Sequence, residues 1–226
     1  MNKLQQDITQ FALLQGAVDI GFTKLDEKFK GFEYAISVVV KLSDFIVDEI
    51  TDMPTHQYFH HYRTVNAFID NLTLKIGFML EGEGYKYLPV ASSQSINTDG
   101  NDYQALYSHK KIAYRAGLGE IGKNSLFLHK DYGPRVRLGT IFTNCEFDTT
   151  VVTSSKGCLN CDLCVKACPS GAITGNLWYP GIERKEVFDP KACSDHMKAK
   201  YKMIGRGVVC GICMRVCPFG EKNKDK

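Results

Sequence analysis

Residues 158–169, CLNCDLCVKACP, place four cysteines at the spacing C-x2-C-x2-C-x3-C and follow the last of them with proline. In this spacing the first three thiolates bind one [4Fe–4S] cluster, and the fourth binds a second cluster. The motif therefore predicts further cysteines elsewhere in the chain. Residues 210–218, CGICMRVCP, supply three of them, and Cys193 between the two segments is the candidate for the one that is missing.

This spacing divides eight cysteines into two predicted ligand sets. The first set is Cys158, Cys161, Cys164 and Cys217, and the second set is Cys168, Cys193, Cys210 and Cys213. Cys145 is left over and is expected to be a small buried side chain. A pair of zinc sites is the alternative, because zinc also binds C-x2-C pairs. A full run followed by a second C-P segment is more typical of iron–sulfur proteins.

The distribution of the cysteines indicates how the chain is organised. Eight of the nine cysteines of this 226-residue chain lie in residues 158–217. The N-terminus lacks the apolar centre of a signal peptide, so clustered cysteines favour metal binding over disulfides. We expect an α+β domain for cofactor or substrate in residues 1–150, and a two-cluster domain in residues 151–226. No apolar run is long enough to span a bilayer, and we expect a cytoplasmic protein without a membrane partner.

The first 150 residues mix helical and strand patterns without a regular β-α-β repeat, which indicates the α+β class. Apolar residues recur every three or four positions from His56 to Leu80, with Pro54 before them and Gly82 after them. Residues 34–40, YAISVVV, have the composition of a buried strand. The other predicted elements are helices at 3–19 and 102–116 and strands at 85–90, 125–129 and 135–142.

Residues 117–124, GLGEIGKN, nearly match two phosphate-binding motifs, G-x-G-x-x-G and G-x4-G-K. Both motifs require a strand before the glycines and a helix after them. The predicted order here is the reverse, so a nucleotide site is not expected. Gly117 instead suits the end of a helix. The stretch is then either a structural turn between a helix and a strand, or a loop that approaches some other cofactor closely.

Residues 108–144, together with residues 158–178, resemble the epoxyqueuosine reductase family in a short form that carries a double [4Fe–4S] domain. They resemble the catalytic core of reductive dehalogenases more distantly. The residues that carry the resemblance are SHKKIAYRAGLGEIGKNSLFLHKDYGPRVRLGTIFTN and CLNCDLCVKACPSGAITGNLW. The resemblance implies a nitroreductase-like, cobalamin-binding N-terminal domain, followed by a bacterial ferredoxin-like domain with two clusters. The clusters would reduce the cobalt of the corrinoid.

The resemblance also implies roles for individual residues. Five residues would contact the cofactor: His109, Gly117, Gly119, Gly122 and Lys123. The family's catalytic aspartate, counted back from the glycine stretch, falls at Tyr103 with Asp102 beside it, so either residue would supply a proton. Two arginines, Arg135 and Arg137, alternate along a predicted strand and are expected to face solvent.

We therefore expect an oxidoreductase, a cobalamin-dependent-type reductase. It would take electrons from an external donor of the ferredoxin or flavodoxin type and pass them to a corrinoid or a small-molecule substrate. Epoxyqueuosine reductases continue into a helical-repeat domain that helps hold tRNA, whereas this chain stops nine residues after Cys217. A substrate other than tRNA is expected on that ground. Two alternatives stay open: an electron-transfer or activating protein that reduces a partner protein, and a flavin-dependent reductase that binds FMN.

Overall fold

The computed structural model describes residues 2–96, 103–149 and 157–220. The strands are β1 (Asp19–Phe29), β2 (Phe32–Lys41), β3 (Tyr87–Val90), β4 (Gly119–Ile121), β5 (Phe127–His129) and β6 (Val136–Thr143). The helices are α1 (Lys3–Leu14), α2 (Asp44–Asp48), α3 (His56–Gly82), α4 (His109–Arg115), α5 (Leu163–Ala167), α6 (Arg184–Val187), α7 (Pro190–Lys200) and α8 (Ile212–Arg215). This mixture confirms the predicted combination of helices and strands. No helix among the described residues combines the length and apolar character needed to cross a bilayer.

The chain forms two compact units, each assembled from separate segments. The described residues of the first, here the sheet unit, are 2–41, 65–96, 103–118 and 137–149. Those of the second, here the cysteine unit, are 42–64, 119–136 and 157–220. The domain boundary near residue 150 stays a prediction, because it was drawn from the density of cysteines and not from contacts between segments.

The sheet unit contains a four-stranded sheet in the order β1-β2-β6-β3. β1 and β2 form an antiparallel hairpin, with Asp19 opposite Val39 and Phe29 opposite Phe32. β3 pairs antiparallel with β6. Seven consecutive residues of β2 are buried, as expected for a β-branched run that is covered on both faces. β1 was not predicted, because its second half is mostly polar. It is a strand because its backbone forms hydrogen bonds with β2.

Both units have apolar cores. In the sheet unit, Phe142 and Val90 of the paired strands pack with Ile112 of α4, and Leu25 and Ala35 of the hairpin complete the cluster. In the cysteine unit, the segment between α7 and α8 packs with Phe59 of α3 in an aromatic and aliphatic cluster. Its buried members are Phe59, Tyr201, Ile204 and Val208, and Met197 and Cys210 pack against them.

The helix predicted over residues 102–116 is shorter than expected. Residue 102 lies outside the described residues, and α4 begins only at His109, after Ser108 in extended backbone. Tyr103 has a φ of 66°, which is left-handed backbone and does not continue into a right-handed helix. The glycine stretch that follows α4 enters strand β4, and β4 pairs with β5 in a separate two-stranded sheet.

Arg135 and Arg137 do not form the solvated face that their alternation suggested. The Arg135 side chain is 0% exposed and donates to Asp44 Oδ1 at 3.2 Å and to Asp48 Oδ1 at 2.7 Å. In the sheet unit, Arg137 Nε donates to Asn66 Oδ1 at 2.8 Å. Alternating charges show only that two side chains share a face. They do not show that acidic or amide groups from distant segments cover that face.

We expect Arg135→Met to lower the free energy of unfolding by about 3 kcal/mol, because two aspartates would lose a buried cation. Chemical denaturation followed by circular dichroism would measure the change. Lys28→Met is the matched control, since Lys28 pairs with Glu33 at an exposed position and should cost under about 1 kcal/mol. Equal losses in the two variants would contradict the structural role of Arg135.

His109 is held by two hydrogen bonds inside the sheet unit. Its Nδ1 lies 2.8 Å from Thr140 Oγ1, and its Nε2 lies 3.1 Å from the Ala91 carbonyl oxygen. A carbonyl oxygen only accepts, so Nε2 carries the proton and Nδ1 accepts from the Thr140 hydroxyl. Burial lowers the pKa of His109 to about 4; the Ala91 carbonyl and Asp70 act against this shift, and Arg137 adds to it. The imidazole is therefore neutral at pH 7.

This environment predicts a pH dependence of stability. Between pH 6.5 and about pH 4 the unfolded chain binds a proton at His109 that the folded chain does not bind. The free energy of unfolding should therefore fall as the pH drops through this window, by up to about 3 kcal/mol. Denaturation at a series of pH values should show that His109→Gln has a smaller slope than the wild type. The control variant His60→Gln changes an exposed histidine and should keep the wild-type slope; an unchanged slope in His109→Gln would refute the assignment.

Candidate functional site

The two cysteine segments share a local structure. In CDLCVKACPSG the short helix α5 carries Cys164, and in CGICMRVCPFG the short helix α8 carries Cys213. Each helix ends just before a Cys-Pro pair, because the residue that precedes proline disfavours helical backbone. The weak sequence repeat between the segments therefore corresponds to a structural repeat. Each repeat holds its middle cysteine on a helix and its last cysteine beyond the helix end.

The predicted first set comes together in the cysteine unit. Burial and the nearby thiols of Cys158, Cys164 and Cys161 together raise the pKa of Cys217 to about 12, against a hydrogen bond from the Phe219 backbone. Burial also raises the pKa of Cys164, with added contributions from Cys158 and Cys161. The last cysteine of the second segment thus lies among the first three cysteines of the first segment.

The predicted second set also comes together. Burial raises the pKa of Cys213, the nearby thiols of Cys210, Cys193 and Cys168 act in the same direction, and Cys164 of the first set adds the smallest contribution. Burial, Cys210 and Cys168 raise the pKa of Cys193 to about 11. Cys193 lies near the start of α7, whose position is fixed by local sequence. Asp189 caps that helix by accepting from the backbone N–H groups of residues 191 and 192, and Pro190 occupies its first turn, where proline is favoured.

Eight thiols therefore form two groups of four, and the donor chemistry of each group fits a [4Fe–4S] cluster. Crowded, half-buried thiolates repel one another, and iron would offset that repulsion. Among the described residues, no three Cys, His, Asp or Glu side chains converge as the ligands of one metal ion would. The thiolates around a cubane each bind a different iron and have no need to converge on one point. The assignment of these cysteines as ligands stays a prediction.

Cys168 differs from its neighbours because its pKa is lowered. Burial acts to raise it, but hydrogen bonds from the Ser170 side chain and from the backbone of Ser170, Ala172 and Ile173 outweigh burial. The Ser170 hydroxyl lies 3.4 Å from the Cys168 sulfur. Donors directed at a ligand sulfur stabilise its thiolate form, and hydrogen bonding to sulfur is one of the factors that set cluster potentials.

The end of the glycine stretch holds both cysteine segments. Lys123 Nζ donates to the Leu159 carbonyl at 3.0 Å and to the Cys161 carbonyl at 3.1 Å. Asn124 Nδ2 donates to the Cys213 carbonyl at 3.3 Å. These bonds connect the β4–β5 turn to the first ligand loop and to helix α8. Sequence reasoning missed this role, because nothing local to Lys123 or Asn124 indicates where their partners lie.

Glu120 occupies the space beside the first ligand loop. A Cβ on Gly157 would lie 1.7 Å from Glu120 Oε1, so only glycine fits at position 157 while Glu120 keeps this conformation. Glu120 Oε1 is buried and has no hydrogen-bond partner among the described residues. Glu120 also contributes to the raised pKa of Cys158, although burial is the larger cause. A buried carboxylate oxygen therefore lies against the first cysteine set.

The five predicted cofactor contacts have partners within the protein. His109 is bonded to Thr140 and Ala91, and Lys123 to backbone carbonyls. Gly117 ends α4 with a φ of 73°, which confirms the predicted helix end. A Cβ on Gly119 would lie 2.1 Å from the Leu128 carbonyl oxygen, and one on Gly122 would meet the side chains of Asn124 and Leu128. Packing inside the β4–β5 hairpin accounts for Gly119 and Gly122, so these donors and glycines give no separate support for a corrinoid. Their predicted cofactor role stays a prediction.

The remaining candidates lie elsewhere. Asp102 lies outside the described residues. Tyr103 is described and takes left-handed backbone; its predicted role as a proton donor stays a prediction. Cys145 belongs to the sheet unit and is 1% exposed, as expected for a cysteine outside both sets.

Comparison with known proteins supports this description of the site. Residues 157–220 match the 4Fe-4S double cluster binding domain. The epoxyqueuosine reductase of Listeria monocytogenes is 36% identical over 119 residues, which cover 49% of this chain and 29% of that protein. This chain thus matches about a third of the length of that curated relative.

Two solved structures share the fold. The epoxyqueuosine reductase of Streptococcus thermophilus has a TM-score of 0.63 at 20% identity, over 98% of this chain and 67% of that chain. A reductive dehalogenase described with B12-dependent dehalogenation has a TM-score of 0.75 at 15% identity, over 96% of this chain and 31% of that chain. The predicted resemblance to both groups is confirmed. Residues 157–220 therefore match the 4Fe-4S double cluster binding domain, and about half of this chain is similar in sequence to epoxyqueuosine reductases.

Proposed function

We propose that this protein is an iron–sulfur oxidoreductase whose two cysteine sets hold two [4Fe–4S] clusters. The observation that carries the proposal is the exchange between segments, in which Cys217 joins the first set and Cys168 joins the second. This exchange is the arrangement that two-cluster ferredoxins use. When bound, such clusters supply single electrons, and substrate recognition must come from other parts of the protein.

The chain's own residues would position the cysteine ligands. Lys123 fixes the backbone of the first ligand loop through two carbonyls, and Asn124 fixes the backbone at Cys213. Donors from residues 170–173 stabilise Cys168 as a thiolate. The apolar cluster around Phe59 and Tyr201 excludes water from the side of Cys210. Together these contacts support a rigid ligand cage that needs little rearrangement when iron binds.

Iron analysis of anaerobically reconstituted protein tests the proposal. The wild type should bind about eight irons per chain, since each of the two cubanes contains four. Cys193→Ser should bind about half as many, because only the second set loses a ligand. Cys145→Ser is the control, since Cys145 lies in the sheet unit, and it should bind as much iron as the wild type. Full iron content in Cys193→Ser would exclude Cys193 as a ligand, and tightly bound zinc without iron would overturn the proposal.

A corrinoid in the N-terminal part of the chain is the finer form of this proposal. It is supported by the fold shared with a reductive dehalogenase described with B12-dependent dehalogenation. A nitroreductase-like arrangement of that part belongs to the same proposal, with Asp102 or Tyr103 as the proton donor to a substrate. The donors and glycines of residues 109–123 do not add support, because contacts inside the protein already account for them. We therefore derive no chemical step from a corrinoid.

Titration of the reconstituted protein with hydroxocobalamin tests this finer form. Co-elution of corrinoid and protein on size exclusion, with a shift in the cobalamin absorbance spectrum, is expected if the proposal holds. The same preparation should show no flavin absorbance, since FMN is the alternative cofactor. Eight irons without corrinoid binding would remove the corrinoid, and would leave an iron–sulfur protein that reduces either a substrate or a partner protein directly. Bound flavin would favour the flavin-dependent reductase.

A further inference from the structure

The C-terminal end of α7 and the segment that follows it are rich in basic residues. Residues 196–220 contain five lysines and arginines and no aspartate or glutamate. Lys200, Lys202 and Arg206 are exposed, and Met203 among them is 70% exposed. An exposed apolar side chain with charged neighbours has the composition of a small protein-binding surface, in which an apolar centre lies inside a polar rim. We call Lys200, Lys202, Met203 and Arg206 the basic patch.

The basic patch is connected to the second cysteine set through one buried side chain. Tyr201 lies between Lys200 and Lys202 in the sequence and is 5% exposed. Its hydroxyl donates to the Asp52 carbonyl at 3.2 Å, and Cys210 packs against the apolar cluster that contains Tyr201. The Tyr201 ring therefore reaches from the backbone of the patch to a predicted ligand of the second cluster.

We propose that the basic patch is the docking surface for an acidic one-electron donor protein of the flavodoxin or ferredoxin type. The inference rests on the proposed function, since it assigns the second cysteine set as the set that receives electrons. Opposite charges steer such proteins together and raise association rates. Redox encounters use small interfaces that release quickly, which suits a patch of four side chains. The packing of Tyr201 with Cys210 favours an electron donor over a nucleic acid as the partner, because only an electron donor would use a connection to a cluster ligand.

Charge reversal at the basic patch tests the proposal. The variant Lys200→Glu/Lys202→Glu/Arg206→Glu is compared with wild type in binding to an acidic flavodoxin. Calorimetry at about 20 mM and about 200 mM salt should show that the reversal weakens binding by about tenfold or more at low salt. The rate of cluster reduction by reduced flavodoxin should fall in parallel. Met203→Ser, which changes no charge, should weaken binding with the salt dependence of the wild type.

The matched control reverses three exposed lysines of the sheet unit, in the variant Lys30→Glu/Lys75→Glu/Lys111→Glu. Three reversals of two charge units each take the formal net charge from +3 to −3 in both triple variants. The control should bind flavodoxin within about twofold of the wild type, apart from the general effect of net charge. Equal weakening in the two triple variants, or binding of the wild type that does not respond to salt, would overturn the docking proposal.

Two further measurements separate the possible failures. Iron content and reduction by dithionite report on the clusters alone. If the wild type has full iron and is reduced by dithionite, but charge reversal at the basic patch does not weaken flavodoxin binding, only the docking surface is refuted. If the wild type neither binds iron nor is reduced by dithionite, the proposed function itself is refuted. Gel shifts with bulk tRNA test the other class of partner. Loss of tRNA binding in the patch variant, with flavodoxin binding unchanged, would assign the basic patch to nucleic acid and overturn the proposal.

Discussion

Each cysteine set is completed by a residue from the other segment, and the whole cysteine unit depends on this exchange. Cys217 lies with the first three cysteines of the first segment, whereas Cys168 lies with Cys193, Cys210 and Cys213. Neither segment contains all four members of a set. Because of this, the first set needs both segments, and the second set needs both segments and Cys193 of α7.

Hydrogen bonds to the cysteine segments and between their neighbours connect residues 42–64 and 119–136 to the cysteine unit. Asp48 accepts from buried Arg135 at 2.7 Å, and its carbonyl accepts from Arg215 of α8 at 3.3 Å. Lys123 and Asn124 hold the two cysteine segments from a third element. The surrounding segments supply the cations and amide donors that keep the loops in position.

The sequence predicted features that depend on local spacing. Fixed intervals between cysteines reflect the geometry of a short loop, so the two sets could be predicted without a structure. The apolar residues of α3 recur at helical spacing, so this helix could also be predicted from local sequence. Features that depend on distant partners were missed. The polar half of β1 becomes a strand only by pairing with β2. Arg135 is buried because Asp44 and Asp48 come from another segment. Gly119 and Gly122 are also required by packing within the β4–β5 hairpin, which no local pattern indicated, and their contact with a cofactor stays a prediction.

Glu120 and Gly157 are far apart in the sequence but compete for the same space. Any side chain at position 157 would enter the volume of the Glu120 carboxylate, so that position can accept a larger residue only when position 120 carries a smaller one or turns away. Substitutions at the two positions should therefore be strongly non-additive. A designer who wished to place an aromatic ring at position 120 would have to treat the first ligand loop as part of the same change, since the space there is already shared.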